Sequence, residues 1–208
     1  MNAMCGRYLI RGNLAPRVQT YLDSHPELME ASKQGTSGEV FPGMCAPILL
    51  LRGGQLKIGP SVWGLRFSSQ KRTVINARAE TLIEKNCFRD LFYNSGRCLV
   101  PATAFYEWTS AEESTRRKQK YLCAPQDSNT IYFAGLYDED TKRFLIVTTA
   151  ACDTLQKIHA RMPLVLVQEE GLEWLRDDKK AELFLSRTDS MHWDANLADE
   201  PEHKLSDL

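Results

Sequence analysis

The chain has 208 residues, with 26 lysines and arginines against 27 aspartates and glutamates and a formal net charge of −1. So even a balance excludes a globally basic nucleic-acid binder and leaves only a local grouping of arginines to attract phosphate. Hydrophobic residues at 43% and charged residues at 25% exclude a disordered chain, and a chain of this length buries roughly 70% of its extended surface, enough for one domain.

In chain order, residues 5–10 read as a short strand. Asn13 is placed to cap a helix running to Leu22, with Leu14, Val18, Tyr21 and Leu22 near one face. His25-Pro26 interrupts that helix, and KQGTSGE at 33–39 is a loop. Apolar runs of strand length then recur at 48–51, 62–67, 98–100, 131–136, 144–149 and 164–167, separated by Gly, Pro or charged turns. In the run 144–149, β-branched and aromatic residues favour pleated geometry over a helix. Helical patterns are expected at 80–92, 153–159, 169–174 and 179–185. SAEESTRRKQK at 110–120 reads as an exposed loop between two strands. Many short strands with few helices predict an α+β, mainly β fold built on a partly closed antiparallel sheet with peripheral helices. The expected layout is one domain over 4–193 and a polar tail over 194–208.

The six cysteines, at 5, 45, 87, 98, 123 and 152, contain no CxxC pair, so neither a zinc ribbon nor a thioredoxin motif is present. Four histidines without ligand spacing predict no metal site, and no cofactor is expected. The opening MNAMCGRYLI lacks an apolar signal region, and runs such as CAPILLL at 45–51 are too short for a bilayer. The expectation is a cytoplasmic protein with free thiols and no membrane association.

Several residues suit chemistry. Removal of Met4 would leave Cys5 with a free α-amine beside its thiol, a 1,2-aminothiol whose two nucleophiles have reference pKa values of about 7.7–8.0 and about 8.5. With an aldehyde such a pair forms an imine and then closes a thiazolidine ring. Read alone, Cys5 is more readily a small core residue than a nucleophile. His159, in IHARMP, is a proton carrier or an ordinary surface histidine. Glu107, between Tyr106 and Trp108, is either a carboxyl held in an apolar wall or a solvent-facing strand end. Asn76 and Arg78, in VINARAET, offer an amide and a guanidinium fork to a ligand, or mark a strand-to-helix junction. The arginines at 7, 66, 72, 78, 89, 97 and 161 form the candidate basic surface. Trp63, Phe67, Phe105, Tyr106 and Trp108 could stack on bases, or fill the core.

Taken together, MCGRY at 4–8, WGL at 63–65, INARAET at 75–81, FR at 88–89 and RCLVPATAFYEW at 97–108 resemble the SOS response-associated peptidase (SRAP) family. The same order continues with FAGLY at 133–137, TT at 148–149 and IHARMP at 158–163. The resemblance implies a compact, mainly β, monomeric protein with a groove for single-stranded DNA. It implies covalent capture of abasic sites as a thiazolidine that protects the lesion. Carried onto this chain, it implies a catalytic set of Cys5, Asn76, Glu107 and His159, with Arg7, Trp63, Arg78 and Arg161 touching DNA. Because the chemistry requires cysteine at the mature N-terminus, translation from Met4 with loss of that methionine is the expected route. Self-cleavage of Met1–Met4 is a second reading, and a third is that the extension persists, which locks the amine in a peptide bond and forbids the thiazolidine. Two further functions share these residues: a cysteine-dependent self-processing peptidase, with His159 as base, and a non-catalytic single-stranded DNA-binding module.

Overall fold

The computed structural model describes residues 6–12, 14–29, 38–67, 73–94, 96–109, 118–127 and 130–198. The strands in chain order are β1 (Tyr8–Leu9), β2 (Glu39–Val40), β3 (Cys45–Arg52), β4 (Gln55–Trp63), β5 (Asn76–Arg78), β6 (Arg97–Ala102) and β7 (Ala104–Trp108). They continue with β8 (Lys120–Pro125), β9 (Ile131–Asp138), β10 (Arg143–Ala150), β11 (Arg161–Pro163), β12 (Val165–Leu166) and β13 (Trp193–Leu197). Five α-helices accompany them: α1 (Pro16–Asp23), α2 (Asn86–Tyr93), α3 (Asp153–Gln156), α4 (Gln168–Arg176) and α5 (Asp178–Leu185).

The expected α+β, mainly β architecture with partly closed sheets is what forms. β4, β3, β6, β9 and β10 pair in succession, and β10 returns to β4 through the parallel register Arg143↔Val62 and Phe144↔Trp63. That return closes a small barrel and removes two exposed sheet edges. A second, five-stranded sheet in the order β13-β8-β7-β1-β2 packs on the barrel. Its inward aromatics meet those of the barrel: Tyr8 lies 5.3 Å from Trp63 and 5.7 Å from Phe133, and Phe105 lies 6.2 Å from Phe133. These edge-on and tilted ring contacts add to the area they bury.

Local chemistry explains where the elements differ from the sequence expectation. The run 62–67 stops being strand at Trp63, because Gly64 takes φ +121°, a backbone closed to residues with a Cβ, and turns the chain. The helix expected over 80–92 is split into a 3-10 turn, Ala79–Thr81, and α2. The helix expected over 153–159 stops as α3 at Gln156, and α1 starts at Pro16, whose missing N–H costs nothing at a helix start. Asn13, expected to cap that helix, lies outside the described residues, as does most of the loop 110–120. The segment from Asp194 is not a tail at its start: β13 pairs with β8 from Trp193↔Pro125 to Leu197↔Tyr121. Polar residues there alternate on an edge strand with one face in water, which composition alone reads as a tail. No helix among the described residues is long and apolar enough to cross a membrane.

Candidate functional site

The C-terminal half of β10 organises the site. On one side β5 runs parallel to it, with Ile146↔Asn76, Val147↔Ala77 and Thr148↔Arg78. On the other side β11 runs antiparallel, with Thr149↔Met162 and Ala150↔Arg161. Asn76, Arg78, Thr148, Thr149 and Arg161 are thereby brought to one corner, although 85 residues separate Asn76 from Arg161 in the chain. Asn76 does sit at a strand-to-helix junction, since the 3-10 turn begins directly after Arg78.

His159 follows α3 and is half-buried. Its Nδ1 lies 3.1 Å from the Arg161 backbone N–H and 3.2 Å from the Arg161 carbonyl oxygen. The neutral ring accepts from that N–H at Nδ1 and so carries its proton on Nε2. The charged ring can donate from Nδ1 to the carbonyl instead. Either protonation state keeps a partner, which suits a residue that gains and loses a proton. The Arg161 side chain is 16% exposed and bound to Glu80 through both terminal nitrogens, the Nη2–Oε2 distance being 2.9 Å. Nη2 also donates to the Thr148 carbonyl at 2.7 Å. Hydrogen bonding to Arg161 holds the Glu80 carboxyl below the usual carboxylate range, and the nearby charge of Arg78 acts in the same direction.

Glu107 is 3% exposed on β7. Of the two readings left open by the sequence, the buried one holds, but Tyr106 and Trp108 do not form its wall. Strand side chains alternate, so Glu107 shares the inward face of Phe105 while its neighbours point outward. Across the ladder Phe105 faces Cys123, and the charge of Glu107 reaches that thiol. Burial first, then Glu107 and Cys152, push Cys123 up to about 12, so it stays protonated and is no competing nucleophile.

Arg7 occupies the outer face of the second sheet. Its guanidinium stands 4.3 Å over Phe41, 5.3 Å from Trp108 and 5.8 Å from Tyr106, with Glu39 at 3.8 Å. Tyr106 N–H donates to the Arg7 carbonyl at 2.9 Å, so Arg7 runs alongside the strand of Glu107. Sequence reasoning missed Glu39 and Lys120 here. Glu39 is buried beside the Tyr106 hydroxyl, which burial and that carboxylate push up to about 12, and the Lys120 Nζ lies 4.3 Å over the Tyr106 ring. No motif marks either residue; only the strand pairing reveals them.

Two expected ligand contacts are corrected. Trp63 is 0% exposed inside the barrel, with Nε1 donating to the Ile75 carbonyl at 2.9 Å, and presents no face for a base. Arg97 is buried, giving Nη1 to the Phe92 carbonyl at 2.6 Å and Nη2 to Asp178 at 2.7 Å, so it ties α2 to α5. Phe105 belongs to the core as well, whereas Phe67 and Trp108 remain half-buried. Cys5 and Arg72 lie outside the described residues. Among the described residues no group of three or more His, Cys, Asp or Glu side chains is arranged to hold a metal ion.

The family model described as SOS response associated peptidase (SRAP) matches residues 4–196. The chain belongs to the SRAP family. Among its relatives, the abasic site processing protein YoqW of Bacillus subtilis (strain 168) is 29% identical over an alignment of 184 positions that covers 83% of this chain and 80% of that protein. The abasic site processing protein YedK of Escherichia coli (strain K12) is 32% identical over an alignment of 146 positions that covers 67% of this chain and 64% of that protein. The abasic site processing protein HMCES of Rattus norvegicus is 27% identical over an alignment of 227 positions, gaps included, that covers 83% of this chain and 64% of that protein. A crystal structure of a protein from Bacteroides thetaiotaomicron superposes with a TM-score of 0.71 at 23% identity, covering 94% of this chain and 92% of that one. A phage-related protein from Bordetella bronchiseptica gives 0.68 at 24% identity, covering 92% and 94%. These two structures share the fold of the chain. The SRAP match spans both the barrel and β13, so the strand that replaces the expected tail is part of the matched region up to Asn196.

Proposed function

We infer that this protein processes abasic sites in single-stranded DNA by forming a covalent thiazolidine through Cys5. The observation that carries the reading is the corner made by β5, β10 and β11. It gathers an amide, two arginines and a histidine in a chain whose curated relatives are named for abasic-site processing.

An abasic deoxyribose is mostly a cyclic hemiacetal and must open to an aldehyde. His159 suits the proton transfer to the ring oxygen, because its Nδ1 keeps a partner in both states. The Cys5 α-amine then adds to the aldehyde carbon, and loss of water gives an imine. Glu107 suits protonation of the departing hydroxyl, being a carboxyl removed from water. The thiolate of Cys5 adds to the imine carbon and the nitrogen takes up a proton, so the ring closes with water as the only leaving group. Asn76 and Arg78 would orient the sugar and its flanking phosphates. The amine must be free, which requires that Met4 be removed.

The test is intact-mass and N-terminal analysis of the expressed protein, followed by a time course with abasic single-stranded DNA. A chain beginning at Cys5 and a denaturation-resistant adduct, lost in C5A, are expected. C5S should give at most an imine that is trapped by reduction. An active sample that retains Met1, or a C5A adduct formed at the normal rate, would overturn the mechanism. A Met4–Cys5 bond cleaved by the protein itself would instead favour the self-processing peptidase.

A further inference from the structure

Arg161 has no open edge for a phosphate. Of the nitrogen pairs that a guanidinium can offer to an oxyanion, the Nη1–Nη2 edge is filled by the Glu80 carboxylate. The remaining nitrogen, Nε, is buried and has no hydrogen-bond partner. Nη2 has given its other proton to the Thr148 carbonyl. A bidentate contact to DNA at Arg161 therefore requires Glu80 to leave.

Glu80 is placed to leave. Its side chain is 47% exposed, against 16% for Arg161. It sits one residue after the first position of the 3-10 turn that follows β5, within the field of Arg78 as well as Arg161. The guanidinium, in contrast, is fixed from behind by Thr148 and by the pairing of β11 with β10. The His159 contact runs through the Arg161 backbone and would survive the exchange.

We propose that Glu80 is a resident stand-in for a DNA phosphate: it occupies the fork of Arg161 in the free protein and is displaced by a phosphate of single-stranded DNA. This rests on the reading of the corner as a DNA site. Carboxylate and phosphate present similar paired oxygens to a guanidinium, so the exchange trades one charge-assisted pair for another and leaves no buried charge unpaired. The stand-in holds Arg161 in its binding geometry before DNA arrives. It also keeps free anions from settling at the corner.

The test uses an undamaged, fluorescently labelled oligonucleotide, so that no covalent step enters the measurement. E80Q and E80A should bind about two- to fivefold tighter than the unsubstituted protein, the range that a half-exposed ion pair supports. The gain should vanish in the R161Q background, where no fork remains to be freed. The Glu80 carboxyl, followed by carbon-13 NMR, should titrate below the usual carboxylate range in the free protein and move upward when DNA is saturating. Weaker binding by both Glu80 variants, a gain undiminished in R161Q, or a carboxyl that stays depressed with DNA bound would each overturn the exchange. Failure of the unsubstituted protein to bind the oligonucleotide at all would overturn the DNA-site reading along with it; the other three outcomes leave that reading standing.

Discussion

At the scale of single residues, the proton-transfer roles proposed for Glu107 and His159 fall in two environments. His159 is half-buried with a reversible backbone partner, whereas Glu107 lies on the inward face of β7 beside Phe105 and opposite Tyr121. A carboxyl there is shielded from bulk water. E107Q keeps the volume and most hydrogen-bonding capacity but cannot exchange the proton. Single-turnover cross-linking should slow by about 10²–10⁴-fold, the range for a positioned acid or base, while affinity for undamaged strand stays the same. A loss of affinity equal to the loss of rate would assign Glu107 to binding instead. The burial of Glu107 was one of two readings of the sequence, and the reason for it is one that the structure replaces. The flanking aromatics suggested an apolar wall, but alternation sends them to the opposite face, and the wall comes from residues 105 and 123, brought together by a ladder.

Among the elements, β10 carries the most consequence, because it closes the barrel at one end and builds the candidate site at the other. The closure depends on Gly64, whose N–H donates to the Phe144 carbonyl at 2.7 Å. With φ at +121°, a Cβ at this position would also stand 2.4 Å from Thr73 Cγ2. G64A therefore combines backbone strain with a steric clash, each of which typically costs about 1–3 kcal/mol. Its urea midpoint should fall by an amount matching about 2–4 kcal/mol, read against an unchanged m-value. A G64A protein as stable as the parent would show that the turn relaxes freely. The WGL block was thus visible as a motif while its purpose was not. Tryptophan beside glycine reads equally as a base-stacking pair and as a buried ring beside a tight turn, and the choice is set by the parallel pairing of β4 with β10. Contacts between segments 81 residues apart, such as Val62 with Arg143, leave no local periodicity to detect.

For the whole molecule, the net charge of −1 hides an uneven distribution of partners. Arg52 is paired with Glu139, Arg97 with Asp178, Arg161 with Glu80 and Arg187 with Glu170. Their charges are largely compensated at short range, and beyond about 10 Å salt screens what remains. Arg78 differs in being exposed on β5, in register with Thr148 at the corner. Composition could not separate these arginines, because pairing depends on which acids the fold brings near. A cation whose charge faces solvent releases counterions from DNA when it binds, so its contribution is read in the salt dependence rather than in the affinity at one condition. R78A should lower the magnitude of the slope of log affinity against log salt by about 0.7, the value per phosphate contact on a single strand, and should weaken binding to all sequences alike. K57A removes an exposed cation from β4, far along that strand from the β10 junction, and should leave the slope unchanged. Equal slopes for R78A and the unsubstituted protein would place the phosphate path away from β5, and a slope reduced equally by K57A would mean that binding follows overall charge and not this corner.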